Sequence, residues 1–397
     1  MEQRIWRVLP FLLLIVPCVA ILLIYQHLPS HSNLSTKALR GDVSWHARAG
    51  LHTEDPAGHR GSARGSRPFW TACLRNMSMA NMAGFSDLPE RLQNFLYYQH
   101  CKHFPLLLDL PGKCGGPDRS SGVFLLLVIK SQPVNYERRE ALRQTWAKER
   151  QHHGAWIRTL FISGTTGAGL EKLRMNKLME VEHRKHGDIL QWDFDDTFLN
   201  LTLKQVLFME WLDNSCPHVR FLLNGDDDVF AHTDNMVEYL QSLRGNDGSG
   251  NLYTGQLIEG RGPVRDPSSK YFVPLQVQQK ESYPTHCCGG GFLLSGHTAQ
   301  VLYNMSKTIA LHPIDDLYMG MCLAQAGLKP SRHTGMRAAG HPLIPSAKVD
   351  ILDPCYYKDL LMVHDFTPLQ NYVMWEQVHD PGLKCWKDPR LSSGILQ

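Results

Sequence analysis

The stretch "RFLLNGDDDVF", residues 220–230, places Asp226, Asp227 and Asp228 between an apolar run and a second apolar pair. In a partly buried place three adjacent carboxylates cannot all ionise cheaply, because like charges at close range raise one another's pKa unless a cation or hydrogen-bond donors compensate. A divalent metal compensates them economically: oxygen ligands suit magnesium or manganese, and such ions bridge one or two carboxylates to the phosphates of a nucleotide. The spacing after Asp228 supplies no EF-hand ligand set. The plainer alternative is a solvated acidic turn, or a cap for the helix expected over "TDNMVEYLQSL". A second acidic pair, Asp315 and Asp316 in "HPIDDLYMGMCLAQAG", heads an amphipathic stretch. There the pair either caps the helix and complements its dipole or provides a free carboxylate that accepts a proton from an attacking hydroxyl.

A diphosphate needs positive charge. Arg139 and Arg143 are four residues apart on one helix face, a repulsive spacing that hints at an anion between them; pairing with Glu137 and Glu140 on a wet surface is the alternative. Lys130 closes an apolar strand-like run, and a lysine at the carboxyl end of a strand points to where ligands bind in an open α/β sheet.

The elements that must position these groups alternate along the chain. "VFLLLVIKS", "IRTLFISG", "DILQWDF" and "VRFLLNG" read as strands, and the stretches between them, "YERREALRQTWAKER", "EKLRMNKLMEVEHRKHG" and "TLKQVLFMEWLDNSC", read as helices. Such alternation predicts an α/β domain with a mostly parallel central sheet flanked by helices. Residues just after a strand, Lys130, Asp193–Asp196 and Asp226–Asp228, then lie on the ligand-binding edge.

The chain of 397 residues carries 43% hydrophobic and 20% charged residues, enough for a large core, and a net charge of only +3. With no Lys/Arg-rich block interleaved with aromatics, nucleic-acid binding has no electrostatic support. "VLPFLLLIVPCVAILLIY", Val8 to Tyr25, is an uncharged run that predicts a membrane helix. Arg4 and Arg7 precede it, so residues 1–7 are expected in the cytosol, 8–28 as a signal-anchor and the rest in a lumen. A cleaved secretory signal is the alternative, but no small-x-small cleavage site follows promptly. Residues 29–68, rich in Ser, Gly, His, Pro and Arg, read as a flexible stem, and 69–397 as globular. Asn-x-Ser/Thr sequons at Asn33, Asn76, Asn200 and Asn304 and nine of the ten cysteines beyond the anchor agree with an exocytic compartment. Cys101 and Cys114 are candidates to pair, as are Cys322 and Cys355. The odd count leaves at least one thiol free or intermolecular, with adjacent Cys287 and Cys288 the first candidates.

Taken in order, "FLLLVIKS", "RREALRQTW", "DTFLNLTLK", "FLLNGDDDVF", "CGGGFLLSG" and "HPIDDLYMGMCLAQAGL" resemble glycosyltransferase family 31, the inverting β-1,3-glycosyltransferases of the Golgi. The likeness runs from about Cys73 to Cys385 and is strongest to the β-1,3-N-acetylglucosaminyltransferases that extend lactosamine chains or mucin-type glycans. It implies a GT-A fold, a type II Golgi membrane protein, a nucleotide-sugar donor, UDP-GlcNAc, and a divalent metal, Mn²⁺ or Mg²⁺. Carried over by position, it implies that Asp228 and His364 of "LLMVHDF" hold the metal, and that Lys130, Arg139, Arg143, Asp226, Asp227 and Asp315 lie on the donor side. Asp316 is implied as the catalytic base, and Gly289, Gly290 and Gly291 as a bare backbone segment beside acceptor and donor sugar, where the residues alone allow a simple turn. Cys288 stands where another glycine is usual, and Leu317 where valine is common. The implied partners are glycan acceptors on glycoproteins or glycolipids, the membrane through the single N-terminal helix, and homo- or hetero-oligomers with other Golgi glycosyltransferases.

The chemistry so implied is a single displacement on UDP-GlcNAc by the 3-hydroxyl of a terminal galactose or N-acetylgalactosamine, giving a β bond. "IDD" before "LYMG" resembles the N-acetylglucosaminyl branch; a β-1,3-galactosyltransferase using UDP-Gal is the alternative. A glycoside hydrolase would need two carboxylates flanking one bond and no metal, and a lectin-like or calcium-binding ectodomain would need no turnover.

Overall fold

The computed structural model describes residues 73–338 and 353–385. The expected anchor, the stem and Asn33 lie outside them, and among the described residues no helix is long and apolar enough to cross a membrane.

The strand β2 (Val123–Lys130) is apolar up to its last residue and buried throughout. A strand covered on both faces has that composition. It pairs in parallel with β4 (Ala155–Thr165) on one side and β6 (Phe221–Asp226) on the other, and β4 pairs in parallel with β5 (Ile189–Asp195). Around this parallel centre the sheet becomes mixed. β1 (Leu106–Leu108) runs antiparallel on β5, β3 (Arg150–His152) antiparallel on β4, and β9 (His286–Ser295) antiparallel on β6. β8 (Tyr253–Ile258) follows antiparallel on β9, with the two-residue β10 (Ser331–Arg332) beside it. The parallel reading therefore holds for the βα half; the chain's second half closes the sheet with antiparallel strands.

Alternation along β2 divides the core. Leu126 and Val128 join the cluster that packs Leu160, Leu190 and helix residues such as Leu207 and Trp211, while Leu125, Leu127 and Ile129 join Phe161, Phe221 and Trp146 on the other face. The covering helices are α1 (Glu90–Tyr98), α2 (Tyr136–Gln144), α3 (Gly169–His186), α4 (Leu201–Ser215), α5 (Thr233–Ser242), α6 (Gly296–Ser306) and α7 (Asp315–Gln325). Helix α4 is buried along most of its length, and its polar residues are matched inside. Lys204 Nζ lies 2.8 Å from Asp196 Oδ1, and Gln205 and Asn224 exchange amide hydrogen bonds at 2.9 and 2.6 Å.

A second sheet of three short strands sits at the end of β6: β11 (Met336–Arg337), β12 (Met362–His364) and β7 (Val229–Ala231). After the one-turn α8 (Pro354–Tyr357) and β12 comes α9 (Pro368–Val378). Its start is explicit in the sequence: Thr367 and Gln370 form a reciprocal capping box with Pro368 at the first helical turn.

The disulfides are Cys73–Cys101, Cys114–Cys216 and Cys355–Cys385, so the expected pairs Cys101–Cys114 and Cys322–Cys355 are both corrected. Cys322 is a buried thiol on α7 inside the core, and Cys114 is carried to the far end of α4 instead of to its sequence neighbour. Cys287 and Cys288 are free thiols, as their adjacency suggested, and successive positions on β9 send them to opposite faces of the sheet. Asn76 and Asn200 are half-buried and Asn304 is exposed. The Asn76 Oδ1 accepts from Ser78 N, and the Asn200 Nδ2 donates to Asp195 O.

Replacing Cys114 and Cys216 by serine is expected to destabilise the domain by about 2–5 kcal/mol, and by more than the same change at Cys355–Cys385, because the loop it closes is longer. Denaturant unfolding of the two variants measures the difference.

Candidate active site

The acidic triplet is the hinge between the two sheets. β6 ends at Asp226 and β7 begins at Val229, leaving Asp227 and Asp228 as the turn. Register does the rest. On the main sheet Lys130 of β2 lies directly beside Asp226 of β6, and Gly225 lies beside Gly291 of β9. On the small sheet His364 lies opposite Val229, which brings its ring back over the triplet.

The Lys130 ammonium is the junction. It is 5% exposed and lies 3.0 Å from Asp226 Oδ1, 3.0 Å from Asp315 Oδ2 and 3.0 Å from the carbonyl oxygen of Gly289. Burial pulls its pKa down, but the two carboxylates outweigh that and keep it protonated well above the ordinary lysine value. Its three N–H donors are occupied within the protein, so it positions the two carboxylates, in place of the expected contact with a diphosphate. Burial pushes Asp226 up to about 6, against the pull of Lys130 and helped by the charges of Asp315 and Asp228.

Asp316 follows Asp315 in the first turn of α7 and is half-buried. Its Oδ1 accepts from Leu317 N at 2.7 Å and its Oδ2 from Gly289 N at 2.9 Å. Burial first, and the neighbouring Asp315 charge second, raise its pKa. A carboxyl group fixed by two backbone donors, with lone pairs left over and raised proton affinity, has the properties of a general base.

On the other side of the hinge, one ligand atom each from Asp226, Asp228 and His364 lie within 4.8 Å of one another. His364 Nε2 is 3.1 Å from Asp228 Oδ1 and 3.8 Å from Asp226 Oδ2. Two carboxylates and an imidazole converging at one point are a donor set that fits a divalent cation. Asp226 thus stands with this group as well as with Lys130. Asp227 turns away: it is buried, accepts from Asn135 Nδ2 at 2.9 Å, and burial raises its pKa.

Arg139 and Arg143 are corrected. The spacing did signal an anion between them, but that anion is Glu182 of α3. Arg139, 1% exposed, gives Nε and Nη2 to Glu182 at 2.8 and 2.7 Å and its remaining donors to Ser131 Oγ and the carbonyls of Gln132 and Pro133. Arg143 bonds Glu182 and, in a two-pronged contact, Asp188. Neither presents a free donor face to the acidic hinge. Arg138 reaches it: half-buried, its Nη1 stands 3.5 Å from Asp227 Oδ1 and 3.2 Å from Asp228 Oδ2, an ion pair with both carboxylates of the turn. The sequence signal was available in its place one residue before Arg139, in the first turn of α2 and therefore rotated toward the strand end.

Gly289–Gly291 are mid-strand residues, neither a turn nor an open backbone. A Cβ at Gly289 would come 3.3 Å from Asp316 Oδ2, one at Gly290 2.6 Å from Ala338 O and 2.9 Å from the His364 ring, and one at Gly291 would collide with the Met362 sulfur. Their bareness lets α7 and β12 close on β9 and so brings Asp316 and His364 to the same strand. A cleft of about 1080 Å³ at the end of β5, lined by Tyr98, Phe104, Lys172, Asn200 and Lys270, includes none of these carboxylates.

A central sheet flanked by helices, with an acidic turn at the end of a central strand, fits a domain of the GT-A type. The family model described as Galactosyltransferase matches residues 137–334. The chain is 50% identical over 321 residues to a human N-acetyllactosaminide beta-1,3-N-acetylglucosaminyltransferase 3, covering 81% of this chain and 84% of the relative. It is 51% identical to a human acetylgalactosaminyl-O-glycosyl-glycoprotein beta-1,3-N-acetylglucosaminyltransferase, covering 81% and 82%. Against a rat UDP-GlcNAc:betaGal beta-1,3-N-acetylglucosaminyltransferase 7 the identity is 39%, covering 79% and 78%. The chain belongs to this galactosyltransferase family, glycosyltransferase family 31, and is a glycosyltransferase.

Lys130→Met leaves Asp226 and Asp315 buried without their shared cation. The expected loss is about 3–5 kcal/mol, with part of it recovered in Lys130→Met combined with Asp315→Asn. Thermal and denaturant unfolding of single and double variants measure both.

Proposed function

We propose that this chain transfers N-acetylglucosamine from UDP-GlcNAc to the 3-hydroxyl of a terminal galactose or N-acetylgalactosamine on a glycoprotein or glycolipid, inverting the anomeric carbon to give a β-1,3 bond. The donor reading is supported by the names of relatives matched over about four-fifths of the chain, all β-1,3-N-acetylglucosaminyltransferases. The observation that carries the mechanism is the pair of backbone donors and the raised proton affinity at Asp316, one residue from the carboxylate that Lys130 ties to Asp226. Asp316 accepts the proton of the acceptor hydroxyl as the new bond forms, which in one displacement calls for a single base. Lys130 holds Asp226 and Asp315 in place and balances their charge. Arg138, whose Nη1 stands at the acidic turn beside Asp227 and Asp228, is the basic group that turns to the departing diphosphate. A divalent ion, Mn²⁺ or Mg²⁺, held by Asp226, Asp228 and His364 would supply the Lewis acidity that neutralises that leaving group.

The apolar run at 8–28, the stem at 29–68, the three disulfides and the sequons support a type II Golgi membrane protein with this domain in the lumen.

Asp316→Asn is expected to cut transfer from UDP-GlcNAc by about 10²–10⁴-fold while UDP binding stays as in the parent. Loss of UDP affinity in that variant would move Asp316 to the donor side. Absence of any Mn²⁺- or Mg²⁺-dependent UDP binding by the parent would overturn the whole assignment, and faster transfer from UDP-Gal than from UDP-GlcNAc would overturn the donor.

A further inference from the structure

A second set of metal-ligating groups lies outside the acidic hinge and takes no part in the transfer chemistry. β3 and β4 are joined by a two-residue turn, His153-Gly154, with His152 paired to Ala155. Both turn residues have positive φ, 45° at His153 and 77° at Gly154, the conformation of the tight hairpin turn that asparagine and glycine favour. Here a histidine occupies the first position. The turn lays the His153 ring on the His152 ring, with centroids 4.0 Å apart, so that adjacent residues face the same partner. That partner is Glu238 of α5. Its Oε1 is 3.3 Å from His152 Nε2 and 3.9 Å from His153 Nδ1, and one ligand atom from each of the three residues lies within 4.8 Å of the others.

We propose that His152, His153 and Glu238 form a Zn²⁺ site. Two zinc ligands at bond lengths of about 2.0–2.1 Å in tetrahedral geometry sit about 3.3–3.4 Å apart, the separation seen between His152 Nε2 and Glu238 Oε1. Two imidazoles and one carboxylate suit zinc and not the oxygen-preferring Mg²⁺ or Ca²⁺. The exposed face at His153 and Glu238 leaves the fourth position to water. The second nitrogen of His152 already has the partner that zinc-binding histidines use to fix their tautomer: Nδ1 is 3.3 Å from Asp234 Oδ1, one turn before Glu238 on the same face of α5. Asp234 is in turn paired with Arg150 and, at 3.1 Å, with His379 Nε2. Arg150 thus balances Asp234, while the ion-pair partners of Glu238 are the two imidazoles, and the site with neutral histidines carries the net negative charge a cation needs. Bound zinc would clip the β3–β4 turn to α5, the helix that follows directly on β7 and the hinge.

The test is Zn²⁺ titration of the full chain by competition with a zinc-chelating dye and by thermal unfolding, with parent, His153→Asn, Glu238→Gln and Asp228→Asn compared. Asparagine keeps the turn, so His153→Asn removes a ligand without unfolding the hairpin. Zinc is expected to raise the melting temperature of the parent, His153→Asn and Glu238→Gln to weaken zinc binding by about tenfold or more, and Asp228→Asn to retain it. No zinc binding by the parent, binding unchanged in His153→Asn and Glu238→Gln, or binding lost only in Asp228→Asn would each overturn the site.

Discussion

One buried ammonium ties the site together. Lys130 closes a strand whose other residues are apolar, so its charge is carried to the edge of the core and must be matched there. It is matched from two directions: Asp226, its neighbour in register on β6, and Asp315, at the head of a helix nearly two hundred residues further along the chain. The third contact, to the Gly289 carbonyl, fixes β9 at the same point. Removing one partner of such a cluster leaves an uncompensated buried charge, which is far more costly than never having placed the charges there. The arrangement therefore specifies geometry more than it adds stability: β2, β6, β9 and α7 meet correctly or the charges are left unpaired.

Behind this junction lies a second layer of internal ion pairs and amide hydrogen bonds. Arg139 and Arg143 converge on Glu182 and Asp188 and lock α2 to α3 and to the start of β5; Lys204 and Asp196 lock α4 to the segment after β5; Gln205 and Asn224 lock α4 to β6. The loop 131–135 is held from the same layer, since Arg139 donates to Ser131, Gln132 and Pro133, while Asn135 donates to Asp227. The acidic turn is supported from behind by these groups, while Asp228 itself faces His364 through Oδ1 and Arg138 through Oδ2.

The parallel half of the fold was legible because short apolar-rich runs alternate with helix-like stretches; β2 is apolar in all but its last position, while β4 carries Arg158 and β6 Asn224 within the same pattern. The antiparallel half was not, since pairing direction is set by connections and leaves no mark on a strand's own residues. The acidic triplet was singled out by residue type and Asp316 and His364 by the family resemblance; in the fold Asp226, Asp228 and His364 converge, Asp227 turns to Asn135, and Asp316 lies against Gly289. Arg139 and Arg143 were misassigned for an instructive reason: their spacing demanded an anion, and the anion was supplied from within by a helix some forty residues away, which periodicity cannot reveal. The glycine run was legible as a close approach, and the protein atoms that approach it are those of Met362, His364 and Asp316. Disulfide partners follow the path of the chain in space, so Cys114 meets Cys216 across 102 residues while nearer cysteines pass it by.

The glycine run also sets how Asp316 and His364 stand relative to one another. β9 passes between α7 on one side and β12 on the other, and three successive bare positions let Asp316 approach at Gly289 and His364 at Gly290. Successive residues of a strand face opposite sides, so the Asp316 carboxylate and the His364 ring meet neighbouring positions without facing each other directly. Lys130 bridges the two sides through Asp315 and Asp226, keeping the like charges of both clusters from repelling across the strand. A side chain at any of the three glycines would widen the gap at that point, moving α7 or β12 away from β9 while leaving every chemical group in the sequence intact.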